Sequence, residues 1–358
     1  MKHGMNLFKV FHFIDIFKKR FPLPAFIINR FLSMLVILFF LGFAVFGLMQ
    51  LAPGDVVDNY VKAQLFMQNE GMQKDNIYTE EVIAAEKARL GLDKPFYIQY
   101  LNWLKKIFIY RDLGRSLVSK TPILFLIKGR LVNSIILNLI SLIFLTTISF
   151  ILGIYFSSKV GTNIDLAATV FALFLHAFPG ILMLILLQLF AAVTKLFPIF
   201  AYPDFPMSQA PVKFVFSYMH HIFLPLLGAF LGGIGGTMRY IRSTMLDQLG
   251  QPYITALRAR GISEGRIHFA HAFRNTLNPY ITSSANMLAG LFSGSLILEI
   301  IFSYPGIGRL MYEAVRQEDV YLVLANIMFT SFLILFGMVV SDILLAVVDP
   351  RIRYGAGA

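Results

Sequence analysis

The sequence predicts an all-α polytopic membrane protein with six transmembrane helices and an extracytoplasmic domain after the first. Three observations carry this. Of 358 residues, 57% are hydrophobic and only 14% charged, and the mean hydropathy is +0.69, far from the composition of a soluble domain. Apolar runs long enough to cross about 30 Å of hydrocarbon recur along the chain. The basic residues behind a net charge of +11 gather between those runs, where the positive-inside rule places cytoplasmic loops. The charge therefore reads as topology, and nucleic acid is not expected as a partner. The chain has no cysteine, which excludes disulfides, iron–sulfur clusters and thiolate zinc sites.

Residues 1–25 read as a cytoplasmic amphipathic segment. Phe8, Phe11, Ile14, Phe17 and Phe21 recur about every three residues, with Lys9, Lys18 and Lys19 between them, the pattern of a helix lying in the membrane interface. The apolar run that follows is too long for a signal peptide. The first span covers 26–51 and ends at Leu51-Ala52-Pro53-Gly54-Asp55, where proline, glycine and aspartate force a turn. Residues 52–130 form the extracytoplasmic domain, with a helix-forming stretch over 80–90 stopped by Gly91. This region is either a packed cap or a docking surface.

A transmembrane core over 131–347 holds five more spans, beginning with Val132–Phe156. The third, Leu166–Phe190, contains Pro179-Gly180, tolerated in lipid when neighbours satisfy the freed carbonyls; a kink there makes Pro179 a candidate for the pathway. His176, one turn earlier, reads as a hydrogen-bonded interior histidine. A proline- and aromatic-rich external connection over 191–221 leads to the fourth span, Ile222–Tyr240. Its Gly228, Gly232 and Gly236 stand four residues apart, a register that lets two helices approach closely or, in a second reading, lines a pore. The fifth span, Tyr280–Ile301, ends beside Glu299. An ionisable residue there is a candidate for substrate contact or for an ion pair with Arg309. The sixth runs over 321–347, and a cytoplasmic tail over 348–358 closes the chain.

Between the fourth and fifth spans lies the stretch 251–279, QPYITALRARGISEGRIHFAHAFRNTLNP. It reads as two short helices broken at Gly261, which can take the left-handed conformation that ends a helix. Ser263 is placed as N-cap of the second helix and Glu264 in its first turn; Pro279 ends it. His268 and His271 lack a surrounding zinc motif and read as loop surface. A polar helix-turn-helix between membrane spans is a shape that another protein can grip.

This stretch resembles the cytoplasmic coupling loop of ABC importer permeases, in particular the oligopeptide/dipeptide/nickel branch. Ala256, Gly261 and Pro279 stand in that loop's register, while Thr255 and Leu257 depart from it. LAPGD, LGLDKPFYIQYLNWL, DLGRSLVSKTPI, LEIIFSYPGIGRLMYEAV and DPRIRY resemble the same branch and follow in its order, so the resemblance covers nearly the whole chain. It implies a type I ABC importer permease fold and half of a translocation pathway for peptides or a related small solute, worked by alternating access. It also implies a second homologous permease subunit, two cytoplasmic ATPases that bind ATP and Mg, and an extracytoplasmic substrate-binding protein. The ATPase contact would fall on Ala256, Arg258, Ala259, Gly261, Ile262, Ser263 and Glu264, and the pathway candidates are Pro179, Gly232, Gly236 and Glu299.

The chain contains no Gly-Lys dipeptide, hence no phosphate-binding P-loop. No cofactor, metal site or enzymatic activity is expected of it. An ion-coupled secondary transporter or a channel subunit is the alternative. The former calls for mid-membrane acids and inverted repeats, whereas Glu299 and Asp342 lie near span ends and no repeat is visible.

Overall fold

The computed structural model describes residues 22–51, 84–85, 88, 93–116, 118–277, 295–317 and 319–348. The N-terminal amphipathic segment, most of 52–92, the bulk of the expected fifth span and the tail lie outside them. Ten helices are labelled here: α1 (Pro22–Leu51), α2 (Phe96–Tyr110), α3 (Ile123–Ser157), α4 (Asn163–Ala177), α5 (Gly180–Thr194), α6 (Pro211–Leu249), α7 (Pro252–Ala259), α8 (Leu296–Ile301), α9 (Ile307–Arg316) and α10 (Val320–Val348). Among the described residues the only strand-like pairing is a single bridge between Arg115 and Pro122.

Four of these helices are long and apolar enough to cross a membrane: Pro24–Leu48 within α1, all of α3, all of α6, and Tyr321–Ile343 within α10. The bent pair α4–α5 can supply a fifth crossing. The second and fourth apolar runs form longer helices than the sequence suggested. α3 starts at Ile123 rather than Val132, and α6 extends over Pro211–Leu249. At 1.5 Å per residue, 35 and 39 residues span about 50–60 Å, so both helices continue beyond a hydrocarbon layer of about 30 Å. Backbone hydrogen bonding does not stop where side chains turn polar, and Lys128 and Arg130 are carried on the helix. The expected third span is corrected more strongly. It is two helices meeting at 93°, with Pro179 in extended backbone at the corner as N-cap of α5.

The chain divides into two compact units, 1–129 with 310–358, and 130–309. In the first, α1 packs along α10. Met34, Leu38 and Val339 are buried between them, and Arg30 Nε lies 3.1 Å from Asp342. α2 lies against α1 through an aromatic cluster of Phe39, Phe43, Phe46, Tyr100 and Trp103. The Tyr100 hydroxyl donates to the Phe39 carbonyl at 2.8 Å. Gly42 leaves room for it, since a Cβ there would stand 2.7 Å from the Tyr100 oxygen. Ser116 donates to the buried Asp319, whose other carboxyl oxygen accepts the Leu322 N–H at 3.2 Å and so caps α10.

The buried Trp103 indole N–H meets no acceptor among the described residues. Trp103→Phe removes the unsatisfied donor but also trims a buried ring, so the space it leaves sets the cost at about 1–3 kcal/mol. A thermal-unfolding scan of the purified chain in detergent checks this, and an unchanged melting temperature would mean that losing the orphan donor offsets the lost packing.

In the second unit α4 packs on α6 through Ala172, Leu175, Ile234 and Met238, and α5 and α8 bury Leu184, Ala191, Leu298 and Phe302 with Leu137 of α3. α6 carries Pro225 in its interior, which an apolar helix tolerates where neighbours compensate for the lost hydrogen bond.

Candidate functional site

The polar hairpin after α6 is built on a buried root. α6 ends at Gly250, and Pro252 occupies the first turn of α7, where its missing N–H costs nothing. α7 stops where expected. Gly261 has φ +75°, and Gly261 N–H and Ile262 N–H return to the carbonyls of Arg258 and Leu257 at 2.9 and 3.2 Å, the paired bonds of a Schellman ending. A Cβ at Gly261 would meet nothing within 4 Å, so the requirement for glycine is conformational, not spatial.

Ser263 stands in extended backbone as N-cap of a short turn, Glu264–Arg266. Its hydroxyl makes no cap bond, while its carbonyl accepts the Ile267 N–H at 3.0 Å. A π-helical stretch, Ile267–Ala272, follows, continued by a helical turn over 273–277.

One side of this hairpin is anchored. Ile254, Ile267 and Ala272 are buried with Ile154 of α3 and Ile241 and Met245 of α6. Tyr253 ties the strands of the hairpin, donating to Gln248 at 3.2 Å and accepting from Asn275 at 3.0 Å. The other side is open: Ala256, Arg258, Ala259, Gly261, Ser263 and Glu264 are exposed and Ile262 is half-buried.

Across the apex, Arg258 grips Glu264 with two bonds, Nε to Oε1 at 2.7 Å and Nη2 to Oε2 at 3.2 Å. Hydrogen bonding from the guanidinium holds the Glu264 carboxyl below its ordinary range and raises Arg258. Both ends of the pair stay charged at neutral pH. The pair is lost only as pH falls through the depressed Glu264 value.

His268 departs from the expected loop surface. It is buried, with Nδ1 2.8 Å from the Glu264 carbonyl.

The other candidates lie elsewhere in the 130–309 unit. Gly232 is exposed, with no atom within 4 Å of a would-be Cβ, and Gly236 faces the His176 ring at 3.8 Å. The glycines at close helix contacts include Gly228, against Leu184 of α5, Gly233, against Leu145 of α3, Gly153, against Ile241 of α6, and Gly235, whose Cβ would collide with the Ala172 carbonyl.

Glu299 is fully buried at the centre of a network. It accepts from the Ser134 hydroxyl at 2.7 Å, from Arg309 N–H at 2.9 Å and from Ser295 N–H at 3.4 Å, while Ser134 itself accepts from Ile307 N–H at 2.8 Å. Arg309 thus meets Glu299 through its backbone, and its guanidinium donates to the Ser303 carbonyl. Asn133 donates to the Pro305 carbonyl at 2.9 Å, and the Tyr304 hydroxyl donates to the Asn133 carbonyl at 2.8 Å. The segment 302–309 is therefore stitched to α3 and α8.

One pair escaped sequence reasoning. Asp165, in the first turn of α4, takes two bonds of 2.7 Å from Arg242 of α6 and is almost fully buried. The usable signal was Thr162-x-x-Asp165. Thr162 caps α4 by accepting the Asp165 N–H at 3.4 Å, and Asp165 reaches back to Gly161 N–H at 3.3 Å, a near relative of the capping box.

Two family models match the chain: the inner membrane component of binding-protein-dependent transport systems over residues 147–354 and the N-terminal region of such components over residues 23–150. The chain is 33% identical to the oligopeptide transport system permease protein AppB of Bacillus subtilis (strain 168), covering 93% of this chain and 100% of that protein. It is 30% identical to the inner membrane ABC transporter permease protein YejB of Escherichia coli O157:H7, over 92% and 99% of the two. With models over most of its length and relatives matched end to end, the chain belongs to the family of binding-protein-dependent transport system inner membrane components, the membrane permeases of ABC transporters.

Proposed function

We propose that this permease forms half of the translocation pathway of an ABC importer for peptides or a related small solute. A second homologous permease would complete the pathway, and two cytoplasmic ATPases would bind ATP and Mg and drive it. An extracytoplasmic binding protein would deliver substrate to the region after the first span. The chain crosses the inner membrane six times, with both termini and the hairpin 251–279 cytoplasmic. Ala256, Arg258, Ala259, Gly261, Ile262, Ser263 and Glu264 contact an ATPase, and Pro179, Gly232, Gly236 and Glu299 are the pathway candidates.

The observation that carries this reading is the two-sided hairpin. Its root is buried against α3 and α6 and its apex is open and polar. A hairpin gripped at the apex and anchored at the root passes a displacement to the helices beneath it, which is what rigid-body switching requires. The Arg258–Glu264 clamp and the Gly261 turn keep the apex in one shape, so motion of the ATPase is not absorbed as local bending.

Gly261→Pro tests the reading. Proline cannot adopt φ +75° and removes the N–H that bonds Arg258. Co-purification in mild detergent should recover ATPases and a second permease with the native chain. The variant should retain the second permease and lose the ATPases. A native chain that recovers no ATPase would sink the reading and favour a secondary transporter. A variant that keeps its ATPases would move the contact off this apex.

A further inference from the structure

Within the 130–309 unit a cleft of about 170 Å³ opens between α3, α4 and α6. Its walls are entirely apolar: Leu152 and Phe156 from α3, Ala168, Phe171 and Leu175 from α4, and Phe230 and Met238 among those from α6. No polar group lines it to hold a water, so within a bilayer it suits hydrocarbon. It is not sealed, since Phe171 on its wall is 60% exposed.

The cleft's surroundings are polarised. The charged residues nearest to the lining along the chain fall at one end of α4 and α6 and in the turn between α3 and α4. Lys159 follows Phe156 by three positions, Asp165 precedes Ala168 by three, and Arg239 and Arg242 follow Met238 within about one turn. Three cations thus stand against one acid. Arg242 and Asp165 bind each other, which leaves Arg239 and Lys159, both exposed, as the charges next along the chain from the lining residues.

We propose that this cleft is a binding site for an anionic phospholipid, with one acyl chain between α3, α4 and α6 and the phosphate on Arg239 and Lys159. Inside a bilayer an acyl chain gains no hydrophobic free energy by moving from lipid to protein. The chain supplies only packing contacts that a void would forfeit, and any lipid can make those. Selectivity therefore comes from the headgroup. Each basic residue near a membrane surface favours an anionic lipid about fivefold, and an arginine adds directed bonds to phosphate oxygens. The site uses none of the apex residues, so it stands or falls apart from the ATPase contact.

The test places a photoreactive benzoylphenylalanine at Phe171 in the full chain, purified with whatever subunits accompany it. The preparation is reconstituted in vesicles of equal parts phosphatidylcholine and phosphatidylglycerol. After illumination, mass spectrometry identifies the adduct. Phosphatidylglycerol adducts should exceed phosphatidylcholine adducts about fivefold or more. The ratio should fall toward the vesicle composition in Arg239→Gln and Lys159→Gln. Filling the cleft with Ala168→Leu should lower total lipid adduct without changing vesicle composition. The same probe at Phe40, exposed on α1, reports the bulk lipid. An adduct ratio at Phe171 equal to that at Phe40 overturns the proposal, because the cleft then has no headgroup preference. A predominant adduct to a second polypeptide also overturns it, showing that a neighbouring subunit covers the cleft.

Discussion

Glu299→Ala is expected to destabilise the 130–309 unit by about 2–5 kcal/mol, the cost of leaving several buried donors without an acceptor. The carboxyl receives the Ser134 hydroxyl and the N–H groups of Arg309 and Ser295. It is fully buried, so water cannot replace it without entering an apolar core. The neighbouring glycines sharpen the point. A Cβ at Gly306 would collide with the Glu299 carboxyl group, and one at Gly308 would stand 2.9 Å from the Leu296 Cα and 3.0 Å from Glu299 Oε2. The turn is shaped around that side chain. Glu299→Gln should be milder than alanine, because one oxygen remains, but not silent, because its amide presents donors to donors. Thermal unfolding of the three proteins in the same detergent should rank them native, glutamine, alanine. An alanine variant that melts with the native protein would mean that the Glu299 network adds nothing to the stability of the fold.

The second large effect is expected at Gly235. Its Cβ would be driven into the Ala172 carbonyl, and the His176 backbone nitrogen would stand only 3.2 Å away. Backbone cannot rotate aside as a side chain can, so Gly235→Ala must push α4 off α6. Overpacking of this kind costs about 1–3 kcal/mol. The displacement would strain the Arg242–Asp165 bonds one to two turns along the same helices, raising the loss above that range. Gly232→Ala, on the same helix with nothing within 4 Å, is the matched control and should melt like the native protein. Equal melting of the two variants would show that α4 and α6 are not in contact at Gly235.

These two sites also show where sequence reasoning reaches. The membrane class, the helical architecture and the break at Gly261 were legible because each is local. Hydropathy accumulates over one run, and a left-handed turn needs a glycine at one position. Contacts were not legible in the same way. Asp165 and Arg242 lie 77 residues apart, and Ser134 and Glu299 lie 165 apart; no periodicity within one helix joins them. The glycine register held only in part, with a close contact at Gly228 and none at Gly232, for the same reason. Spacing of four identified a stripe through Gly228, Gly232 and Gly236, but which glycine touches a neighbour depends on where that neighbour lies, and α4 lies over Gly235. Span ends were missed because hydropathy tracks side chains, whereas α3 and α6 are continued by backbone bonds past their apolar stretches. The right-angle corner at Pro179 was seen only as a kink. Proline marks the break without fixing the direction taken after it.

The π-helical stretch Ile267–Ala272 has a consequence for how the hairpin is aimed. A π turn holds one residue more than the α turn it replaces, so the helix beyond it lags by about 100°, the rotation of one residue. The chain therefore carries a spare unit of phase between the apex at Gly261–Glu264 and the threonine at 276 that reaches back to Met245. The direction in which the apex points, relative to the helices that hold it, is set by that single surplus residue. Two permeases of this kind with identical apex residues would present them at different angles if only one of them kept it.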